Sequence, residues 1–299
     1  MKKTFSFILW VFAMSFGLAL TSCDTTRPIV TATHTASAQP VTLTPTREID
    51  MMSSSTPRPT RAVQGGIVYS VPGMETVVPV HADIPYSTEN EAFQLDVYAP
   101  PGLDPDTRLP AVLFVHGGAS AQRNLKEHAQ YVSWGKLMGA SGLIAITFNW
   151  NAPDPSGIEQ AIAYVHEHAA EFQIDGERLC IFSVSAGVSA GFTLALQKMP
   201  PYVRCLVGYY GNPSPALEWI TTQDASQLPP ILLVKAAQDD PTLIAGTDRF
   251  ASELTSRNAQ VTVLLHENGE HAFDIRDNDD RSREIIEQTL EFIKRSLLE

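Results

Sequence analysis

The chain has 299 residues, 44% of them hydrophobic, and a formal net charge of −12. That apolar share is enough for a substantial core, in one large domain or two small ones. The acidic balance and the absence of any run of Lys or Arg argue against a nucleic-acid partner, whose binding needs a basic surface.

Taken from its start, the chain opens on a targeting pattern. Lys2 and Lys3 form a basic region, Phe5 to Leu20 an apolar one, and Leu20-Thr21-Ser22-Cys23 closes it with small residues. Such an order predicts an export signal over residues 1–22. The closing tetrapeptide resembles a bacterial lipobox, which implies lipidation at Cys23 and a membrane-anchored, extracytoplasmic lipoprotein. The competing reading, an uncleaved membrane anchor, suffers from an apolar stretch somewhat short for spanning. From Cys23 to residue 62 about half of the residues are Ser, Thr or Pro and few are large and apolar. Such a stretch cannot bury enough surface to offset its ordering entropy and reads as a disordered tether. Residues 63–299 then form the folded domain.

Within that domain, Thr76–Ala82 and Phe93–Tyr98 read as early strands. In the second, Phe93, Leu95 and Val97 alternate with Gln94, Asp96 and Tyr98, the pattern of a half-buried antiparallel strand. Leu109–His116 is a continuous apolar strand ending at Gly117-Gly118. Leu125–Ala140 reads as a helix with Trp134, Leu137 and Met138 toward the core, and Leu143–Phe148 as another buried strand. Gly157–Phe172 is helical. Leu179–Phe182 is a short buried strand, and Val188–Lys198 a helix that Pro200-Pro201 ends. Strands at Val203–Tyr210, Ile231–Ala237 and Val261–His266, with helices at Ala245–Asn258 and Arg283–Leu298, complete the chain. Strands alternating with helices in this way predict an α/β fold: a mostly parallel central sheet with helices on both faces. In such sheets the chemistry collects in loops at the carboxyl ends of the strands. Cys180 and Cys205 both fall inside apolar strands, and neighbouring parallel strands rarely offer disulfide geometry. Two buried free thiols are the expectation.

The candidate chemistry starts at Ser183-Val184-Ser185-Ala186-Gly187. A buried strand, a tight turn, a serine between small residues and a helix form the context of a nucleophile elbow. The literal G-x-S-x-G string is the next one, Gly187-Val188-Ser189-Ala190-Gly191. Position favours Ser185, because the apolar run ends at Phe182 and Ser189 falls one turn inside the helix. Gly187 and Gly191 then share a helix face suited to close packing on the sheet. His116-Gly117-Gly118-Ala119 follows a strand, where glycines can turn backbone N–H groups into a pocket and, with the N–H of Ala186, form an oxyanion hole. The plainer reading is a strand-ending turn with His116 as a structural hydrogen-bonder. A general base belongs in a late loop after a strand, which His271 fits, whereas His266 is still in its strand. The acid belongs after Ile231–Ala237, where Asp239 and Asp240 both qualify. One would orient the histidine and the other cap a turn or helix. The acidic run Asp274–Asp280 reads as a solvated loop, and its spacing misses the calcium-loop pattern. His166 and His168 point to different helix faces, which argues against a metal pair.

The order Ser185, Asp239, His271 is the chain order of α/β-hydrolases. Asp175-Gly176-Glu177-Arg178, with its arginine seven residues before Ser185, resembles a segment of bacterial serine esterases and dienelactone-hydrolase-like proteins. Leu95-Asp96-Val97-Tyr98-Ala99-Pro100, His116-Gly117-Gly118, the Asp239 turn and His271-Ala272-Phe273 resemble further landmarks of those proteins. The resemblance implies an α/β-hydrolase fold and a serine carboxylic-ester hydrolase that needs no metal or cofactor. It also implies N–H donors at Gly118 and Ala119, and a turn that favours Asp239. Dienelactone hydrolases proper use a cysteine nucleophile, so Ser185 points to a general esterase acting on a small-molecule ester. A peptidase or acyl transferase on the same three residues, or a non-catalytic surface binding protein of the same fold, stand as alternatives.

Overall fold

The structure, a computed structural model, describes residues 65–118 and 124–299. The signal segment, Cys23, the tether and Ala119 lie outside the described residues.

Eight strands form one sheet in the order β1-β2-β4-β3-β5-β6-β7-β8. They are β1 (Pro79–Pro85), β2 (Gln94–Tyr98), β3 (Leu109–Val115), β4 (Ile144–Phe148), β5 (Ile174–Val184), β6 (Val203–Tyr209), β7 (Ile231–Ala236) and β8 (Val261–His266). β2 runs antiparallel to both β1 and β4. Every pair from β4 to β8 across the sheet is parallel. The helices are α1 (Ala129–Ala140), α2 (Ser156–Glu167), α3 (Ala186–Lys198), α4 (Leu217–Thr222), α5 (Pro241–Ser256), α6 (Phe273–Arg276) and α7 (Asp280–Leu298).

The period-2 direction of side chains along each strand splits the core into two apolar layers. Leu113, Val115 and Ile181 face one way, into a layer with Phe192 of α3 and Phe250 of α5. Phe114, Cys180, Phe182 and Val184 face the other way, against Trp134 of α1 and Ile286 and Ile293 of α7. Strands buried on both faces read as continuous apolar runs, which is why β3 to β7 are legible from sequence.

Three expectations are corrected. β2 is not half-buried: Asp96 and Tyr98 are buried along with Leu95 and Val97. Asp96 is tolerated there because Lys126 Nζ lies 2.9 Å from its carboxylate. Asp274 is not solvated. It is fully buried in α6, while Asp279 caps α7 by accepting from Ser282 N. Cys180 and Cys205 are not free thiols but a disulfide. The register sets them opposite each other on β5 and β6, with Cα atoms 4.8 Å apart. This separation falls within the range a disulfide can span.

Candidate active site

Ser185 sits between the end of β5 and the start of α3 with φ 52° and ψ −121°. A non-glycine residue with positive φ is strained and persists only where its surroundings over-determine it. The hydrogen bonds here do so: Ser185 N donates to Tyr209 O at 2.9 Å, and Val188 N to Ser185 O at 3.1 Å. Close packing adds to this. A Cβ on Gly187 would stand 2.7 Å from the His116 carbonyl oxygen, and one on Gly117 would stand 2.8 Å from the Ser185 Cβ. The turn therefore needs both glycines. Ser183 fills the place two residues before Ser185. Its side chain points beneath α3, where a Cβ on Gly191 would collide with its Oγ. Ser189 stands one turn into α3 and is half-buried.

His271 follows β8 and precedes α6. Ala272 turns the chain with φ 65°, and the fully buried Phe273 anchors it. Asp239 follows β7. The structure brings these three residues together: Ser185 Oγ lies 2.9 Å from His271 Nε2, and His271 Nδ1 lies 2.8 Å from Asp239 Oδ2. A carboxylate only accepts, so Nδ1 carries the proton and Nε2 is left to accept from the serine hydroxyl. The Asp239 side chain is 6% exposed and the His271 side chain 36%, so the carboxylate is sheltered while the imidazole reaches the surface. The other oxygen of Asp239 accepts the N–H of Asp240 at 2.7 Å. Asp240 itself is exposed and caps α5, accepting from Thr242 N at 2.7 Å. The adjacent carboxylates thus have separate partners.

Ala186 begins α3, where the first N–H groups of a helix are free of intrahelical partners. Gly118, with φ 85°, closes the strand-ending turn after β3. The N–H of Gly117 donates to Tyr131 Oη of α1 at 2.7 Å, so it is already engaged. His116 is buried, and its bonds define a neutral ring. Nε2 accepts from Trp150 N at 3.2 Å, and Nδ1 donates to the Gly117 carbonyl at 2.9 Å. Burial lowers its pKa to about 4, against the raising effect of the backbone bonds. Further along the same loop, Lys126 is buried between Asp83, Asp96 and Glu127. Burial alone would pull its pKa down, but the bonds to these carboxylates outweigh it and hold it up. Its N–H also donates to Asn149 Oδ1 at 3.0 Å, which ties the loop to the end of β4.

Tyr131, Lys126 and Tyr210 were not reached from sequence. No pattern in the chain marks them, because Gly117 is 14 residues from Tyr131, Asp96 is 30 from Lys126 and Asp274 is 64 from Tyr210. The nearest available signal was Lys126, a lysine at the start of a segment otherwise rich in core residues.

A strand-turn-helix serine in hydrogen-bonded line with a late histidine and an aspartate, on a 1-2-4-3-5-6-7-8 sheet, defines the α/β-hydrolase class. The chain has the fold of the α/β-hydrolases. The dienelactone hydrolase family model matches residues 154–297, and the BD-FAE model matches residues 95–200. Hormone-sensitive lipase of Ictidomys tridecemlineatus is 26% identical over 176 residues, which cover 54% of this chain and 23% of that lipase. The chain thus spans under a quarter of the length of the curated relatives it matches. Among solved structures, a bacterial heroin esterase is similar in fold, with a TM-score of 0.60 and 16% identity over 77% of this chain and 87% of the other. A fungal esterase of Rhizomucor miehei gives a TM-score of 0.56 and 18% identity over 69% and 80%.

Proposed function

We propose that this chain hydrolyses carboxylic esters of small molecules through an acyl-enzyme. Ser185 attacks the ester carbonyl as His271 Nε2 takes its proton. Asp239 holds the tautomer and stabilises the imidazolium that forms. The N–H groups of Ala186, Gly118 and Ala119 receive the oxyanion. The same imidazolium returns the proton to the leaving alcohol, and water, activated in turn by His271, frees the acid. The observation that carries this reading is the unbroken line from Ser185 Oγ to His271 Nε2 at 2.9 Å and from His271 Nδ1 to Asp239 Oδ2 at 2.8 Å.

Between Gly211 and Pro229 the chain supplies only α4 and two short 3-10 turns. An insert this short leaves no room for a large lid there and suits an open site and short acyl groups. The lipobox-like Leu20-Thr21-Ser22-Cys23 supports a lipid at Cys23 and an extracytoplasmic substrate.

A fluorophosphonate probe combined with p-nitrophenyl esters of rising acyl length tests the proposal. Labelling at Ser185, lost in Ser185→Ala, and turnover that falls with chain length are expected. Labelling at Ser189 would sink the elbow assignment. Well-folded protein with neither label nor turnover would leave a binding protein.

A further inference from the structure

Asp274 is a fully buried carboxylate three residues after His271, and none of the steps above uses it. Its partners come from two distant elements. Gln130 Nε2 of α1 lies 2.8 Å from Oδ2, and Trp134 Nε1 of the same helix lies 3.0 Å from it. Tyr210, just past the end of β6, donates its hydroxyl to Oδ1 at 2.8 Å. That hydroxyl in turn accepts from Gln130 Nε2 at 2.5 Å. Indole and amide N–H groups only donate, so an acceptor at this point is what the network requires. Burial pushes the Asp274 carboxyl up, and the bonds from Gln130, Trp134 and Tyr210 oppose it.

Two features tie this network to the imidazole. The Tyr210 ring packs edge-on against the His271 ring, with centroids 4.8 Å apart. Tyr210 also holds φ 36°, a left-handed backbone that a tyrosine adopts only under constraint. Its amide donates to Val234 O at 2.8 Å, so the backbone is fixed from β7 while the hydroxyl is fixed from α1 and α6. A closed circuit results. α1 grips Asp274 and Tyr210, Asp274 sits in the first turn of the short helix that starts beside His271, and Tyr210 braces the ring itself.

We propose that Asp274 and Tyr210 are positioning residues for His271, which fix the ring plane so that Nδ1 meets Asp239 and Nε2 meets Ser185 at once. This inference rests on the ester-hydrolase reading for its kinetic consequence but not for its structural one. A ring misplaced by about 1 Å costs on the order of 100-fold in rate, so a brace that acts only through geometry is visible in kcat.

The test uses the full chain as wild type, Tyr210→Phe, Asp274→Asn and Thr289→Val, with Asp239→Asn for assignment. Thr289→Val removes a buried hydroxyl bonded to Tyr209 at 2.7 Å, a loss of the same kind outside the hydrogen bonds that join Asp274, Gln130, Trp134 and Tyr210. One readout needs no substrate: the low-field proton resonance of His271 Nδ1–H, assigned by its disappearance in Asp239→Asn. The other is kcat and KM on p-nitrophenyl butyrate. In Tyr210→Phe and Asp274→Asn the resonance should shift or broaden, and kcat should fall about 10- to 100-fold with KM changed by less than about twofold. Thr289→Val should melt earlier and leave both readouts alone. If Tyr210→Phe and Asp274→Asn, folded at the assay temperature, keep the wild-type resonance, the inference is wrong. If the resonance moves as expected while the wild type turns over no ester, the ester-hydrolase reading fails and the positioning role stands.

Discussion

Ser183 and Gly191 are a matched pair: the hydroxyl of one occupies the space that a side chain on the other would need. A glycine is usual two residues before an elbow nucleophile. Here a serine stands there, and the facing turn of α3 carries the glycine instead. Gly191→Ala should therefore destabilise the wild-type chain by about 1–3 kcal/mol, the range for overpacking a core. In a Ser183→Gly background the same change should cost far less. Urea melts of the four proteins of this cycle give the coupling directly, and additive effects would contradict the pairing.

The two adjacent aspartates should separate by function. Asp239→Asn leaves the backbone bond to Asp240 possible but lets the His271 ring take the wrong tautomer, and a loss of kcat of about 10⁴-fold is expected. Asp240→Asn retains a capping oxygen at the start of α5 and should change kcat little. Steady-state rates with matched circular dichroism spectra check the ranking, and the reverse order would show that Asp240 faces the imidazole in solution.

His116 should make part of the acid sensitivity of folding. Its folded pKa is about 4, lowered by burial from the ordinary 6.5, so between these values the unfolded chain binds the extra proton. Stability is then complete above about pH 6.5, falls as pH drops, and levels off below about pH 4, a loss of up to roughly 3 kcal/mol. His116→Gln, neutral at every pH, should lose less stability than wild type between pH 7 and pH 4.5. Equal slopes in urea melts across that range would show that the His116 ring gains its proton without cost.

The sheet was legible because β3 to β7 are buried on both faces and spell continuous apolar runs. The elbow was legible because its steric demand is written in small residues next to the serine. What stayed hidden was polar burial. Asp96 looks like the outward residue of an alternating strand until Lys126 is seen beside it. Asp274 looks like one charge in an acidic loop, because its partner Gln130 is 144 residues away. The cysteines were misjudged for a related reason: their spacing is visible in the chain, but the register that sets them on one rung of β5 and β6 is not.

Removing the disulfide with Cys180→Ala and Cys205→Ala together should lower stability by about 3.5 kcal/mol on the chain-entropy account, given a separation of 25 residues. Denaturant melts under non-reducing conditions measure it. A loss well under about 1 kcal/mol would mean that the reduced chain already holds these strands together when unfolded.

The same bridge has a topological consequence. Ser185, the whole of α3 and the Pro200-Pro201 turn lie inside the loop it closes. A protease that cuts the exposed Lys198 or Arg204 side of that loop makes two chains that stay covalently joined. The cut would be invisible on a denaturing gel until a reductant was added. Ser185 thus lies in a segment that a single nick cannot detach.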